Sequence, residues 1–245
     1  MRGWLALIFF SLCFQPLAFA QKLAPIDIVF DIDWTTFYSV EASQKDDKTL
    51  LVEGKLYRPT DHLGEVIQTL LQRHPEIRVS FFSGGERSRN ETLLKQVFLP
   101  DGRSLKDIAY KILSKEHLTV LSQDETLHFS KRNKKVLDAH IPDWNPRRTI
   151  LIDDQPEFAR PPLKAVASLG LFNFLKGFDP ALVEQKYFPP SEGEWHIERK
   201  KALLWLRMIE ASLQEADRSG KDFSDVTETT WKNYRSRTCQ QIFAF

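Results

Sequence analysis

The sequence predicts an α/β fold built on a doubly wound parallel sheet. Three observations carry that prediction. Short apolar runs bounded by polar residues recur at 26–30, 77–82 and 149–152, as buried parallel strands require. Helical patterns stand between them. Acidic or hydroxyl residues close the runs (Asp31, Ser83, Asp153), at the strand ends where open α/β sheets bind ligands.

The elements follow in order. After the first strand, residues 37–57 predict a small β-hairpin flap. Phe-Tyr-Ser-Val leads into a polar turn through Ser43 to Lys48, then Thr-Leu-Leu-Val. Arg58-Pro59 ends it. A helix follows, with Asp61 as its cap and Leu63, Val66, Ile67, Leu70 and Leu71 on one face. His74-Pro75 stops that helix, and 77–82 is the second strand. The next helix runs from about Glu86 to Val97. After the Pro100-Asp101-Gly102 turn, Leu105, Ile108, Ala109, Ile112 and Leu113 mark another amphipathic helix. Residues 118–121 read as a third strand. The basic segment 131–135 opens onto a short helix, and 149–152 is the fourth strand. Such alternation implies right-handed crossovers.

Beyond Asp179-Pro180 the pattern changes. A long helix carries Leu203, Leu206, Ile209 and Leu213 along one stripe, as a C-terminal helical appendage packed on the core. The tail from Gly220 is polar and ends in Ile242-Phe243-Ala244-Phe245. Trp231 and Tyr234 in it are expected to dock on the core.

Residues 1–20 have the pattern of a signal peptide. Arg2 gives the positive start, Trp4 to Phe14 is almost wholly apolar, and Ala18-Phe19-Ala20 fits an A-x-A cleavage site. An uncleaved anchor is the alternative. Residues 21–180 would then form the catalytic domain, and 181–245 the extension. No later stretch is apolar for long enough to span a bilayer. The mature protein is expected to be exported, periplasmic or secreted, without stable membrane insertion. About 225 residues suffice for one sizeable core. The formal net charge of +1 provides no field to recruit nucleic acid. Cys239 would be the lone cysteine after cleavage, so no intrachain disulfide can form. Six Trp and eighteen Phe make the expected core aromatic-rich. Asn90-Glu91-Thr92 matches a glycosylation sequon, a pattern that chance supplies readily.

The chemistry-bearing residues sit at the strand ends. Asp31 is the candidate nucleophile and metal ligand, and Asp33 the candidate general acid/base. A carboxylate can attack phosphorus and form an aspartyl-phosphate. A second carboxyl can protonate the leaving oxygen and later activate water. The Ser83 hydroxyl, Gly84 and Thr35 are candidates for holding phosphate oxygens. Asp153 and Asp154 close another buried strand and suit Mg²⁺, a hard cation that prefers oxygen ligands. A phosphate dianion approaching Asp31 is repelled by roughly 4 kcal/mol per charge pair at about 4 Å and an effective dielectric near 20. A lysine and a metal offset that repulsion. Lys131, Lys134 and Lys135 are placed to supply the lysine; Lys135 is favoured, then Lys134.

In this order, these elements resemble the haloacid dehalogenase (HAD) superfamily of phosphohydrolases. Asp31-Ile32-Asp33-Trp34-Thr35 is similar to motif one, and Ser83 after Val79-Ser80-Phe81-Phe82 to motif two. A lysine of the 131–135 cluster would be motif three, and Ile150-Leu151-Ile152-Asp153-Asp154 is similar to motif four. Leu56-Tyr57-Arg58-Pro59 and Asp153-Asp154-Gln155-Pro156 narrow the resemblance to the FCP/SCP-like (NLI-interacting-factor-like) phosphatases. It spans about residues 26–175. It implies a Rossmann-like, HAD-like core, Mg²⁺ dependence and an aspartyl-phosphate intermediate. Asp31, the Asp33 carbonyl and one of Asp153 or Asp154 would bind the metal. It also implies a phosphorylated substrate, with phosphoproteins as the group's usual targets. Trp34 is a bulky occupant of the motif's variable position, and the lysine lacks its usual Asp-Leu sequel. The expected activity is phosphoric monoester hydrolysis. The alternatives are a nucleotidase or phosphotransferase using the same residues, and a catalytically silent binding protein on the same fold.

Overall fold

A computed structural model describes residues 24–169 and 173–235. The expected signal peptide, Cys239 and the terminal apolar residues lie outside them. In chain order the elements are β1 (Ile26–Asp31), β2 (Phe37–Ser39), β3 (Leu50–Val52), β4 (Lys55–Pro59), α1 (Leu63–Arg73), β5 (Ile77–Phe82), α2 (Arg87–Lys95) and α3 (Leu105–Ile108). They continue with β6 (Lys111–Leu113), β7 (Thr119–Val120), α4 (Phe129–Arg132), β8 (Asn133–Lys134), β9 (Thr149–Asp153), β10 (Lys164–Ala167), α5 (Glu192–Ser219) and α6 (Phe223–Arg235).

Five strands form a parallel sheet in the order β10-β9-β1-β5-β6. The fold is α/β and Rossmann-like, with an antiparallel flap and C-terminal helices. Strand order runs outward from β1 in both directions, so the switch-point crevice lies at its carboxyl end. Phe30 pairs with Ile152 and with Phe81, which puts Asp31, Asp153 and Ser83 along one edge of the sheet.

Every residue of β1 is buried, because both faces are covered. Ile28, Phe30 and Ile32 pack with α1, α2 and α5. Val29 and Leu151 pack on the other face against Leu137, Ile141 and Leu163, from connecting segments. The long helix α5 completes the main core: Trp205 is fully buried, its ring 5.5 Å from that of Phe30. Among the described residues no helix is long and apolar enough to cross a membrane.

The flap is a three-stranded sheet, β2-β4-β3, and not a simple hairpin. Its tight turn is at Glu53-Gly54, with φ of 49° and 75°, and not at 43–48. Two successive positive-φ residues match the twist of a two-residue hairpin, and Gly54 adopts that conformation without strain. Asp61 does not cap α1; His62 occupies the cap position. Asp61 instead bonds Arg58 at 2.6 Å and also pairs with Arg199 of α5. Arg58 is itself buried and bonds Asp46 at 2.9 Å, so this network ties the flap to the C-terminal helix.

Other differences have clear physical reasons. The helix expected through Leu113 stops at Ile108, and Lys111–Leu113 becomes the edge strand β6. Over so few residues the apolar spacing fits either period: Ile112 meets one core and Leu113 the other, as alternate strand positions do. With that edge filled, Thr119–Val120 leaves the main sheet and pairs with β8. The basic segment does not open onto a helix: Lys131 and Arg132 end the short helix α4, and the chain is extended from Asn133, so Lys134 and Lys135 project from strand-like backbone. The region after Gly220 forms α6, which buries Phe223 and Val226, and Trp231 donates its Nε1–H to the Ala167 carbonyl at 2.5 Å. The edge strand β10 completes the sheet beside β9, beyond the four strands expected. Asn90 of the sequon is fully buried, bonded to Ser114 Oγ, so no glycan can attach in the folded state.

Candidate active site

β1 and β9 end side by side, and each delivers a buried carboxylate to the same point. Lys135 Nζ bridges them, 2.6 Å from Asp31 Oδ1 and 2.7 Å from Asp153 Oδ2. The Lys135 side chain is 2% exposed, so this is an interior ion triad. Asp153 Oδ1 also accepts the Gln155 N–H at 2.8 Å. Thr35 Oγ1 accepts the Asp154 N–H at 2.9 Å and locks the β1 loop to the end of β9. Thr36 Oγ1 donates to the Asp31 carbonyl at 2.9 Å.

The second carboxylate of the D-x-D pair takes a different course. Asp33 Oδ2 accepts the Ser83 hydroxyl at 2.6 Å. The Arg89 guanidinium forks onto both Asp33 oxygens, at 2.8 and 2.7 Å. Arg89 comes from α2 and was not among the residues expected here. Gly85 leaves the space that the Arg89 guanidinium fills, a relation visible only in the folded chain. Asn90 steadies the fork by accepting Arg89 Nη2 at 2.7 Å.

Of the expected site residues, Asp31, Asp153, Asp154 and Lys135 converge, and Asp33 with Ser83 forms an adjoining pair. Lys134 does not join them; its ammonium bonds the Glu157 carbonyl. Strand alternation explains the split, because consecutive residues point to opposite faces. The Gly84 backbone runs close against the Phe129 ring, which leaves no room for a Cβ. Lys201 of α5 is a second unexpected neighbour. It is fully buried 2.9 Å from Glu198 Oε1, and its charge is felt by Asp31 and Asp154.

Burial raises the Asp31 carboxyl well above its usual range; Lys135 opposes the rise, and Asp153 and Asp154 add to it. Burial, then the charge of Asp153, pushes Asp154 up to about 7. Burial works against the Lys135 charge, but Asp153 and Asp31 more than compensate and hold it protonated. Three carboxyl groups thus crowd around the one bridging lysine. One oxygen each from Asp31, Asp153 and Asp154 lies within 4.8 Å of the others. Asp31 Oδ2 is buried without a hydrogen-bond partner. An orphaned carboxylate oxygen beside two more carboxylates fits a hard divalent cation such as Mg²⁺.

The Asp154 shift sets a pH dependence for the metal-free protein. Unfolded, this group ionises near 3.8; folded, near 7. Between those values unfolding sheds a proton, so stability falls as pH rises. The contribution is complete below the unfolded value and is lost as pH passes through about 7. In EDTA, the urea midpoint is expected to be lower at about pH 8 than at about pH 5.5, and Asp154→Asn should reduce the difference, with Asp31 contributing a dependence of the same sign. An unchanged slope in that variant would remove Asp154 as the cause.

No family model and no curated protein matches the chain. Solved structures to which this chain is similar include two phosphatases. One is described as Fcp1, an essential RNA polymerase II CTD phosphatase, with TM-score 0.40 and 14% identity over 77% of this chain. The other is the fission yeast RNA polymerase II CTD phosphatase Fcp1-R271A bound to beryllium fluoride, with TM-score 0.40 and 15% identity over 84% of this chain. This chain spans 54% and 61% of those two chains, respectively.

Proposed function

We propose that this chain is a Mg²⁺-dependent phosphomonoester hydrolase that works through an aspartyl-phosphate on Asp31. The observation that carries the reading is the Lys135 bridge between Asp31 and Asp153 at the crevice of the sheet. A buried lysine that pins a strand-end carboxylate is arranged to orient it and to meet incoming negative charge. Asp31, Asp153 and Asp154 would hold the Mg²⁺, which supplies positive charge against the phosphate and the attacking carboxylate.

The chain's own groups perform the proton and bond changes. An Asp31 oxygen bonds phosphorus as the ester P–O bond breaks. The Asp33 carboxyl gives its proton to the departing oxygen. Asp33 then takes a proton from water, whose oxygen bonds phosphorus while the Asp31–phosphorus bond breaks. Phosphate leaves and both carboxyl groups return to their starting states. Ser83 and Arg89 donate to Asp33 in this structure, and both are suited to phosphate oxygens. A phosphate arriving at Ser83 competes for those donors and frees Asp33 to act.

Export is part of the proposal, resting on the pattern of residues 1–20. N-terminal sequencing of the protein from its host should read Gln21; Met1 would refute cleavage. The decisive assay is p-nitrophenyl phosphate hydrolysis by the chain from Gln21. Turnover is expected with Mg²⁺ and background with EDTA. A folded protein inert toward p-nitrophenyl phosphate in Mg²⁺ would overturn the reading.

A further inference from the structure

A cavity of about 390 Å³ opens beside Asp154, within the roughly 300–1,000 Å³ that small-molecule sites occupy. Asp154 belongs to the carboxylate cluster, and Trp34 follows Asp33 directly in the β1 loop. A phosphate seated at Asp31 would therefore project its ester group into this space. Trp34 and Tyr187 form aromatic walls, and His128, Gln155, Glu157 and Asn173 supply polar lining beside Asp154.

The two aromatic walls share an unusual backbone. Trp34 has φ of 63° and Tyr187 φ of 72°, two of four non-glycine residues with positive φ among the described residues. Bulky residues rarely adopt this conformation, and glycine or asparagine would adopt it more readily. Such strain concentrates where a side chain must be aimed at a ligand. Backbone bonds hold both positions. Trp34 N–H donates to the Phe37 carbonyl at 2.7 Å, and the Tyr187 carbonyl accepts Asn173 N–H at 3.1 Å. Lys186 Nζ covers one face of Tyr187, 4.5 Å from the ring centre.

The polar lining offers acceptors. Gln155 Nε2 lies 3.4 Å from Asp154 Oδ2, and Gln155 Oε1 is buried without a partner. Glu157 adds a carboxylate. No lysine or arginine lines the cavity among the described residues. The occupant should therefore be planar, rich in N–H or O–H donors, and free of further negative charge. Those requirements exclude sugar bisphosphates, nucleoside di- and triphosphates and acidic peptides. A nucleobase with its ribose meets them: the ring stacks on the aromatic walls, and amino or hydroxyl groups meet Gln155 and Glu157.

We infer that this cavity binds the nucleoside of a nucleoside 5′-monophosphate, the ester hydrolysed at Asp31. The inference rests on the phosphomonoesterase reading for its chemistry, and on the cavity alone for its selectivity. The test compares adenosine 5′-monophosphate, β-glycerophosphate and a phosphotyrosine peptide as substrates of the Mg²⁺-loaded enzyme. The nucleotide is expected to exceed β-glycerophosphate in kcat/KM by roughly tenfold or more. Trp34→Asn and Tyr187→Asn keep residues that tolerate the left-handed backbone. Each should shrink that ratio severalfold, mainly through KM of the nucleotide. Equal kcat/KM for the two small esters, or preference for the peptide, overturns the inference while leaving the phosphatase reading intact. Adenosine without phosphate provides a readout independent of turnover. Calorimetry should detect its binding to the wild type and a weaker signal with Trp34→Asn. If no ester is hydrolysed, the phosphatase reading fails; absent adenosine binding then sinks this inference as well.

Discussion

Asp31→Asn is expected to lose at least about 10³-fold in turnover and to gain stability at the same time. Asn is isosteric with Asp and can still accept the Lys135 hydrogen bond, so the pocket keeps its shape. Its amide is a far weaker nucleophile, and the aspartyl-phosphate route closes. The stability change follows from the electrostatics. Burial disfavours the Asp31 charge, and Asp153, Asp154 and Asp33 repel it. An amide removes the charge and places a donor where Asp31 Oδ2 now lacks any partner. The gain should be about 1–2 kcal/mol in EDTA, typical when an active-site charge is neutralised. Urea unfolding at neutral pH, run beside the p-nitrophenyl phosphate assay, measures both. Full activity in the variant would mean that Asp31 is not the nucleophile. A destabilised variant would mean that the carboxylate is there to hold the fold.

The residues of that cluster were more legible in the sequence than the architecture around it. Asp31, Ser83 and Asp153 each end an apolar run, so position along a strand and position at the site are the same fact. Among the lysines of the basic segment the sequence favours Lys135, then Lys134, and the extended backbone that separates the two is visible only in the structure. Arg89 and Lys201 were hidden for a different reason. Each reaches the site from a helix whose pattern shows only which face is buried; Arg89 is held by Asp33, far away in sequence, and Lys201 by Glu198 one turn earlier on its own helix. The errors in the fold share this origin. Residues 105–113 satisfy helical and strand spacing equally well, and only the open edge beside β5 decides between them. The α6 helix looks polar in sequence because its buried face includes Ser224 and Thr227 beside Phe223, Val226 and Trp231. In the flap, the polar stretch 43–48 imitates a hairpin turn, whereas the two residues Glu53-Gly54 make it.

Lys135→Met should have the opposite stability sign from Asp31→Asn, although both remove one charge from the same cluster. Met preserves much of the length of the lysine stem but leaves Asp31 and Asp153 facing each other with no cation between them. Their oxygens lie within 4.8 Å. At an effective dielectric near 20, that repulsion is about 3 kcal/mol. Breaking a buried ion pair by removing one partner costs about 3–5 kcal/mol, which agrees. Turnover should also drop by about 10²–10³-fold, the usual effect of losing one donor that meets transition-state charge. Mg²⁺ separates this explanation from simple loss of packing. If Asp31, Asp153 and Asp154 hold the cation, saturating Mg²⁺ replaces the missing charge and returns about 3 kcal/mol at a hundredfold excess over Kd. The variant's urea midpoint should then rise more with Mg²⁺ than the wild type's, because the wild-type cluster already contains one neutralising charge. Equal Mg²⁺ responses in the two proteins would place the cation elsewhere and leave Lys135 as the cluster's permanent counter-ion.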